Sequence, residues 1–242
     1  MKPPFIIEYI YRFPDGETKE VRLELDGDTL ALQPVETGPL PAWTELAFHR
    51  CDCCPLDPEN NSHCPLAAHL VRVVEALGDR QSIDRVSVEV RVPERSYHKE
   101  VDLQDGLSPL AGLIMATGGC PVLEPLRPMA RFHLPFASLE ETEFRMISMY
   151  LMAQCLRQSK GLEADWSVAG LGAIYEAVGT VNIGFAERIR GTSDKDAGVN
   201  AIVLLHCFSM AVPFAAQSLL SRYETLFAWH TRPQGLPCRD PL

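Results

Sequence analysis

The sequence has too few basic residues for a protein that binds polyanions. Its 22 Lys and Arg residues stand against 32 Asp and Glu residues, which gives a formal net charge of -10 and a pI near 5.2. An acidic surface repels phosphate backbones and anionic lipid headgroups. We therefore expect neither nucleic acid nor a membrane as a partner. The expected partner is an unidentified protein or a small anionic ligand.

The sequence also lacks an apolar run of bilayer length. Its longest run, residues 201–216, is interrupted by His206, Ser209 and Pro213, and it is shorter than the ~20 residues that a spanning helix needs. The first residues reach Glu8 before a signal-like apolar run forms. We expect a protein of the reducing cytoplasm, where eight cysteines are not a disulfide framework.

Several motifs that would identify a reaction are missing. The sequence contains no G-x-G-x-x-G, no P-loop, no G-x-S-x-G and no H-E-x-x-H. The predicted helices carry no Glu-x-x-His pair, which argues against a di-iron carboxylate bundle. Whether the protein is an enzyme stays open at the level of sequence.

The apolar periodicity changes along the chain and predicts the fold class. In the first part apolar and polar residues alternate, which is typical of half-buried strands. Five short strands are predicted there, at residues 7–13, 21–25, 29–32, 86–92 and 97–103. Tight turns join the first three strands, and a helix begins at Pro65 between the third and the fourth.

From Gly106 onward the period is helical. Ser108-Pro109 is typical of a helix start, and Gly118-Gly119 of its end. Ser138 to Glu141 form a capping box that opens a helix to about Lys160. A regular helix follows from Val168 to Gly191, with Arg188 and Arg190 suited to its C-terminal end. A last helical pair is predicted over residues 196–229, divided at Pro213.

These patterns predict an α+β fold with an N-terminal antiparallel sheet, one helix beside it, and a C-terminal helical bundle. Residues 1–105 are the β-rich part, which carries a loop rich in proline and cysteine from Pro34 to Cys64, hereafter the cysteine loop, and residues 106–242 are the helical part. We expect the two parts to form one cooperative unit.

Clustered cysteines are the clearest chemical signal. Cys51 and Cys54 have C-x-x-C spacing, and Cys64 precedes the helix at Pro65, where backbone N–H groups favour a thiolate. Cys120 follows two glycines that let the backbone approach closely. A soft metal ion requires four ligands. We predict that Cys51, Cys54, Cys64 and Cys120, hereafter the cysteine set, bind one structural metal ion.

The cysteine set fits two metal centres, and two metal-free interpretations stay open. Proline follows three of the four cysteines, as is frequent around [4Fe–4S] clusters, whereas the C-x-x-C spacing favours zinc. Cys51, Cys53 and Cys54 would suffice for a redox-active thiol group, and the cysteines could also be simply buried. His63 and His69 are possible ligands but are more typical of capping or surface positions. We assign Cys155, Cys207 and Cys238 to packing or the tail.

A basic segment stands out in this acidic chain. Arg127, Arg131 and His133 precede the helix capped by Ser138, whose N-terminus adds positive potential. The three residues are a candidate anion-binding site. The alternative is that the arginines pair with nearby glutamates. In the following helix Asn182 falls on the apolar stripe, where an amide usually bonds across helices and fixes their register but can also line a pocket.

Several local motifs resemble those of one uncharacterised bacterial protein family, known only as a domain of unknown function. The motifs are P-A-W-T-E-L at residues 41–46, C-P-L-A at 64–67, G-C-P at 119–121, R-P-M-A-R-F-H-L-P-F at 127–136, and Asn200-Ala201. The resemblance spans nearly the whole chain and implies one functional unit. It implies no activity, cofactor or site residue.

Overall fold

The computed structural model describes residues 2–34, 38–77, 79–191, 199–207, 209 and 221–232. Alternating apolar residues form four strands: β1 Phe5–Arg12, β2 Thr18–Leu25, β3 Arg85–Val92 and β4 Arg95–Asp102. The sheet has the order β2-β1-β3-β4, and every neighbouring pair is antiparallel. Strand β1 is therefore central, and β4 lies at an edge.

The predicted strand at residues 29–32 is wrong. Only one isolated bridge, from Leu25 to Leu32, forms there. The side chain of Asp26 accepts hydrogen bonds from the backbone N–H groups of Asp28 and Thr29, and Leu30 takes a positive φ of 60°. This turn, closed by the side chain of Asp26, bends the backbone at the point where a third strand would need an extended backbone.

Four α-helices lie wholly within the described residues: α1 Pro65–Leu77, α2 Leu103–Thr117, α3 Leu139–Ser159 and α4 Ala169–Arg190. Helix α1 begins at Pro65 as predicted, and the capping box of α3 is present, with the Ser138 hydroxyl accepting from the Glu141 N–H. Two 3₁₀ helices, Ala42–Thr44 and Glu124–Phe132, lie in the connections. The α+β class predicted from the sequence is confirmed.

Helix α2 starts earlier than predicted. It begins at Leu103, directly after β4, and Pro109 lies inside it. The reason is burial, because Leu103 and Leu107 are both buried in the core and a helical turn before Pro109 places them there. Gly106 lies against Val88, where a Cβ would be 2.9 Å from the valine Cγ2, so α2 rests closely on the sheet. The expected division at residue 106 falls within this helix.

One apolar core joins the sheet to the helices. It includes Tyr9 and Tyr11 of β1, Ile114 of α2, Met146 of α3 and Phe185 of α4. The predicted pair at residues 196–229 lies partly outside the described residues, although residues 199–207 are helical. In the described part of the chain, no helix is both long and apolar enough to span a bilayer.

Candidate functional site

The cysteine loop is attached to α4 by one buried arginine. Arg188 is only 1% exposed and donates to backbone carbonyls of residues 43–49. These acceptors are Trp43 O at 2.6 Å, Glu45 O at 2.7 Å, and Leu46 O and His49 O at 3.4 Å. Arg188 lies in the last turn of α4, as the sequence predicts, and its position in the helical repeat turns its side chain toward the loop.

The loop approaches the backbone of α4 closely. Cys51 lies against Gly184, where a Cβ would be 3.0 Å from the cysteine sulfur and 3.2 Å from its Cα. The Cys51 thiol points toward the carbonyl of Val181 at 3.9 Å, and the Cys53 thiol toward that of Ala177 at 4.0 Å. A residue larger than glycine at position 184 would push the loop away from the helix.

Cys64 ends the loop, directly before α1, and Cys120 lies in the turn after α2. These two places in the chain are in contact. Cys64 precedes α1, and its backbone carbonyl accepts from the N–H of Ala68 at 3.0 Å. Cys120 follows α2 after Gly119, which takes a φ of 86° and lies over Pro65, so close that a Cβ on this glycine would be 3.5 Å from the proline Cβ. The two Cys-Pro turns are thereby neighbours.

The thiols influence one another electrostatically. Burial, followed by the nearby Cys64, Cys53, Cys120 and Cys54, raises the pKa of Cys51 to about 12. Burial also raises the pKa of Cys120, with Cys64 and Cys54 adding to the rise, while the backbone N–H groups of Leu123 and Val122 favour its thiolate. All members of the cysteine set therefore lie in one neighbourhood, and their thiolate forms repel one another unless a cation is present.

The side chains of the cysteine set are not arranged around one point. Among residues that the structure describes, no group of three His, Cys, Asp or Glu side chains is arranged to hold a metal ion. All four cysteines of the set are free and partly buried. His63 bonds to the Thr44 hydroxyl at 2.8 Å through Nδ1. The metal site thus stays a prediction.

The remaining cysteines differ from their expected placement. Cys155 and Cys207 are exposed, so the expectation that they pack in apolar helices is wrong: each lies on the solvent side of its helix. Cys238 lies outside the described residues.

The three residues of the basic segment do not converge. Arg127 pairs with Glu124 at 3.0 Å, whereas Arg131 is exposed and its guanidinium lies 4.8 Å from the ring centroid of Phe5. His133 bonds through Nε2 to the Tyr9 hydroxyl at 2.5 Å. Burial, followed by the charge of Arg145, lowers the pKa of His133 to about 3, so the imidazole is neutral at pH 7.

A cavity of about 450 Å³ lies on another side of α4. It is lined mainly by apolar side chains from α2, the second 3₁₀ helix, α4 and residues 204–205, and also by polar ones. The polar or charged side chains in its wall are Lys99, Asp105, Ser108, His133, Thr142, Arg145, Tyr175, Asn182 and Ser209. We call it the α4 cavity. Sequence patterns do not indicate it, apart from Asn182 on an apolar stripe.

Asn182 both bonds across helical segments and lines the α4 cavity, the two roles considered from the sequence. It is 1% exposed and donates through Nδ2 to the Ser209 hydroxyl at 3.4 Å, a contact between helical segments. Its Oδ1 is buried without a hydrogen-bond partner among the described residues. The side chain therefore has an unused acceptor at the cavity wall.

The family resemblance indicated by the local motifs is confirmed. A family model, a domain of unknown function (DUF6901), matches residues 7–228. The match covers the sheet from Ile7 onward, the cysteine set and α1 to α4. No curated protein and no solved structure matches the chain.

Proposed function

Because the chain belongs to DUF6901, a family of unknown function, its role has to be inferred from its own residues, and we propose that it is a metal-binding protein. In this proposal Cys51, Cys54, Cys64 and Cys120 bind one zinc ion as thiolates. The ion is structural: it ties the cysteine loop to the start of α1 and to the turn after α2. Metal binding then contributes directly to the free energy of folding.

The observation that carries the proposal is the buried charge of Arg188. Its guanidinium donates to backbone carbonyls and lies 5.8 Å from the ring centroid of Phe48, and it forms no ion pair with a described carboxylate. Burial lowers the pKa of Arg188, and the nearby Cys64, Cys51 and Cys54 oppose that lowering. A buried cation is costly without a counterion. A zinc ion bound by four thiolates carries a net negative charge and supplies that counterion.

Cys51 needs a metal ion to ionise at neutral pH. With its pKa near 12, it is a protonated thiol in a metal-free site and gives Arg188 no counter-charge. Metal binding displaces the thiol proton, so zinc affinity should rise with pH. The same event brings the sulfur atoms to Zn–S distances of about 2.3 Å, which requires the loop and the Cys120 turn to move toward each other.

Elemental analysis of anaerobically purified full-length protein tests the proposal. We expect one zinc per chain and a colourless protein whose melting temperature falls by about 5–10 °C when a chelator removes the metal. That shift corresponds to ~2.7 kcal/mol, the linkage free energy for zinc at a hundredfold excess over Kd. A brown protein with bound iron and sulfide would instead identify a [4Fe–4S] centre and favour an iron–sulfur redox protein or enzyme.

Two matched serine variants locate the site. Cys120→Ser removes one proposed ligand and should lower the bound zinc and the melting temperature together. Cys155→Ser changes an exposed cysteine and should leave both unchanged. The proposal is rejected if purified protein contains no metal, takes up neither zinc nor iron, and melts identically with and without chelator; a metal-free interaction module would then be the better description.

A further inference from the structure

Arg145 brings an uncompensated positive charge to the α4 cavity. It projects from α3 into the cavity wall and donates to the carbonyls of Met129 at 3.3 Å and Phe132 at 2.7 Å. No described carboxylate forms an ion pair with it. Glu141 acts on Arg145 only at longer range, because its carboxylate accepts from the backbone N–H of Ser138. The other charged groups in the wall, Lys99 and Asp105, are both exposed.

The second polar group in the cavity wall is the amide oxygen of Asn182, which lacks a hydrogen-bond donor among the described residues. Asn182 Oδ1 is buried and unpartnered in the described part of the chain, although a buried acceptor without a hydrogen bond is unfavourable. The rest of the wall is mainly apolar, with Leu113, Met129 and Leu205 among its side chains. The volume and the few convergent polar groups are those of a small-molecule site.

The two polar groups come from different helices, Arg145 from α3 and Asn182 from α4, and lie at separate positions on the cavity wall. Arg145 and Tyr175 both line the cavity, and the charge of Arg145 acts on the Tyr175 hydroxyl. Asn182 follows Tyr175 by seven residues on α4. Seven helical residues span roughly 10 Å. A ligand that satisfies both groups must therefore be extended, with an anionic group at one end and a hydrogen-bond donor at the other.

We propose that the α4 cavity binds a small, extended, largely apolar carboxylic acid with a terminal hydrogen-bond donor, its carboxylate on Arg145 and its donor on Asn182 Oδ1. The chain between the two ends packs on the apolar wall. This site is independent of the cysteine set, which lies on a different side of α4, and the two proposals can fail separately.

A series of three ligands tests the proposal by isothermal titration calorimetry on the full chain. The probe is 8-hydroxyoctanoate, because an extended chain rises roughly 3.5 Å for every three backbone atoms and eight carbons therefore span roughly 9 Å. Octanoate lacks the terminal donor, and 1,8-octanediol lacks the charge. We expect 8-hydroxyoctanoate to bind about tenfold more tightly than octanoate and about tenfold to a hundredfold more tightly than the diol. Undetectable binding of 8-hydroxyoctanoate, or equal affinities for all three, overturns the proposal.

Variants then assign each end of the ligand. Arg145→Gln retains a donor for the backbone carbonyls and should abolish the preference for 8-hydroxyoctanoate over the diol. Asn182→Leu removes the unpartnered acceptor and should abolish the preference over octanoate. Since it replaces an unsatisfied buried group with an apolar one of similar size, it should melt no lower than the natural chain, so a loss of binding is not a loss of folding.

Arg157→Gln is the matched control for Arg145→Gln. Arg157 lies on the same helix and also donates to a backbone carbonyl, that of Glu163, at 2.8 Å, but it does not line the α4 cavity. Its variant should bind all three ligands as the natural chain does. Equal loss of 8-hydroxyoctanoate binding in Arg157→Gln, or unchanged selectivity in both Arg145→Gln and Asn182→Leu, would place binding elsewhere and overturn the proposal.

Discussion

Two sides of helix α4 differ in how tightly they are packed. On the side of Val181, Gly184 and Arg188, the backbone of the cysteine loop lies directly on the helix. On the side of Tyr175 and Asn182, the helix faces a cavity of about 450 Å³. On the first side, the buried Arg188 holds the loop against the helix by hydrogen bonds. On the second side, the buried Oδ1 of Asn182 has no hydrogen-bond partner among the described residues.

The difference shows how one helix supports two kinds of site. A glycine and an arginine hold a segment without regular secondary structure against a helix, because the glycine allows close approach and the guanidinium satisfies several carbonyls at once. A cavity with unused polar groups on a rigid helix is instead suited to a ligand that enters and leaves. We expect mutations on the loop side to affect stability, and those on the cavity side to affect binding and pH response.

The largest effect is predicted for Arg188→Ala. It removes a fully buried side chain and the donors to four backbone carbonyls, so the free energy of unfolding should fall by about 3–5 kcal/mol. Urea unfolding followed by circular dichroism measures this change. If the cysteine set binds metal, the variant should also lose metal affinity, because the anionic centre loses its counterion.

Arg190→Ala is the control for that prediction. Arg190 is exposed two residues further along the same helix, and its variant should unfold within about 0.5 kcal/mol of the natural chain. Equal, small effects at both positions would mean that the loop is not fixed by Arg188, and the contrast between the two sides of α4 would disappear.

The next effect concerns pH and the cavity side. With its pKa lowered from 6.5 to about 3 by burial and by Arg145, His133 stays neutral in the folded state while the unfolded chain takes up a proton below pH 6.5. Stability is therefore lost as the pH falls through this window, by up to about 1.4 kcal/mol per pH unit. Between pH 6.5 and 5 the contribution of His133 should reach ~2 kcal/mol.

His133→Gln isolates this contribution. The variant keeps a partner for the Tyr9 hydroxyl but does not titrate, so the stability difference between it and the natural chain should shift in its favour as the pH is lowered. Chemical denaturation at several pH values gives that difference. His98→Gln, at an exposed histidine of β4 that bonds to Ser87, is the matched surface substitution. Parallel pH curves for His133→Gln and the natural chain would show that His133 is protonated as readily when folded as when unfolded.

Much of the fold follows from local patterns. The alternation in β1, β2 and β3 and the capping box of α3 predict elements that the structure contains within a few residues. The two errors have local competitors: the Asp26 turn replaces a strand, and the burial of Leu103 extends α2 backward across the expected start at Pro109. In both places a side-chain contact outweighs the propensity of the segment.

The candidate site follows from the sequence only in part. Residue type and glycine context predict that Cys120 lies near the cysteine loop, and the thiols are indeed close enough to influence one another. The role of Arg188 and the α4 cavity could not be predicted, because both depend on which side of α4 faces which segment. An arginine near a helix end has the same sequence signature whether it is exposed or buried.

The smallest effect compares two glycines of α4. Alanine favours a helix over glycine by up to about 1 kcal/mol. At Gly179 a Cβ would lie 3.5 Å from the Ser209 hydroxyl, an ordinary contact, so Gly179→Ala should raise the free energy of unfolding by about 0.5–1 kcal/mol. At Gly184 a Cβ would meet the sulfur and the Cα of Cys51 at 3.0 and 3.2 Å, so Gly184→Ala should lose this gain and unfold about 1–2 kcal/mol more easily than Gly179→Ala. Equal stabilisation by both substitutions, measured by urea unfolding, would mean that the loop can move away from α4 freely and that the two sides of the helix do not differ in packing.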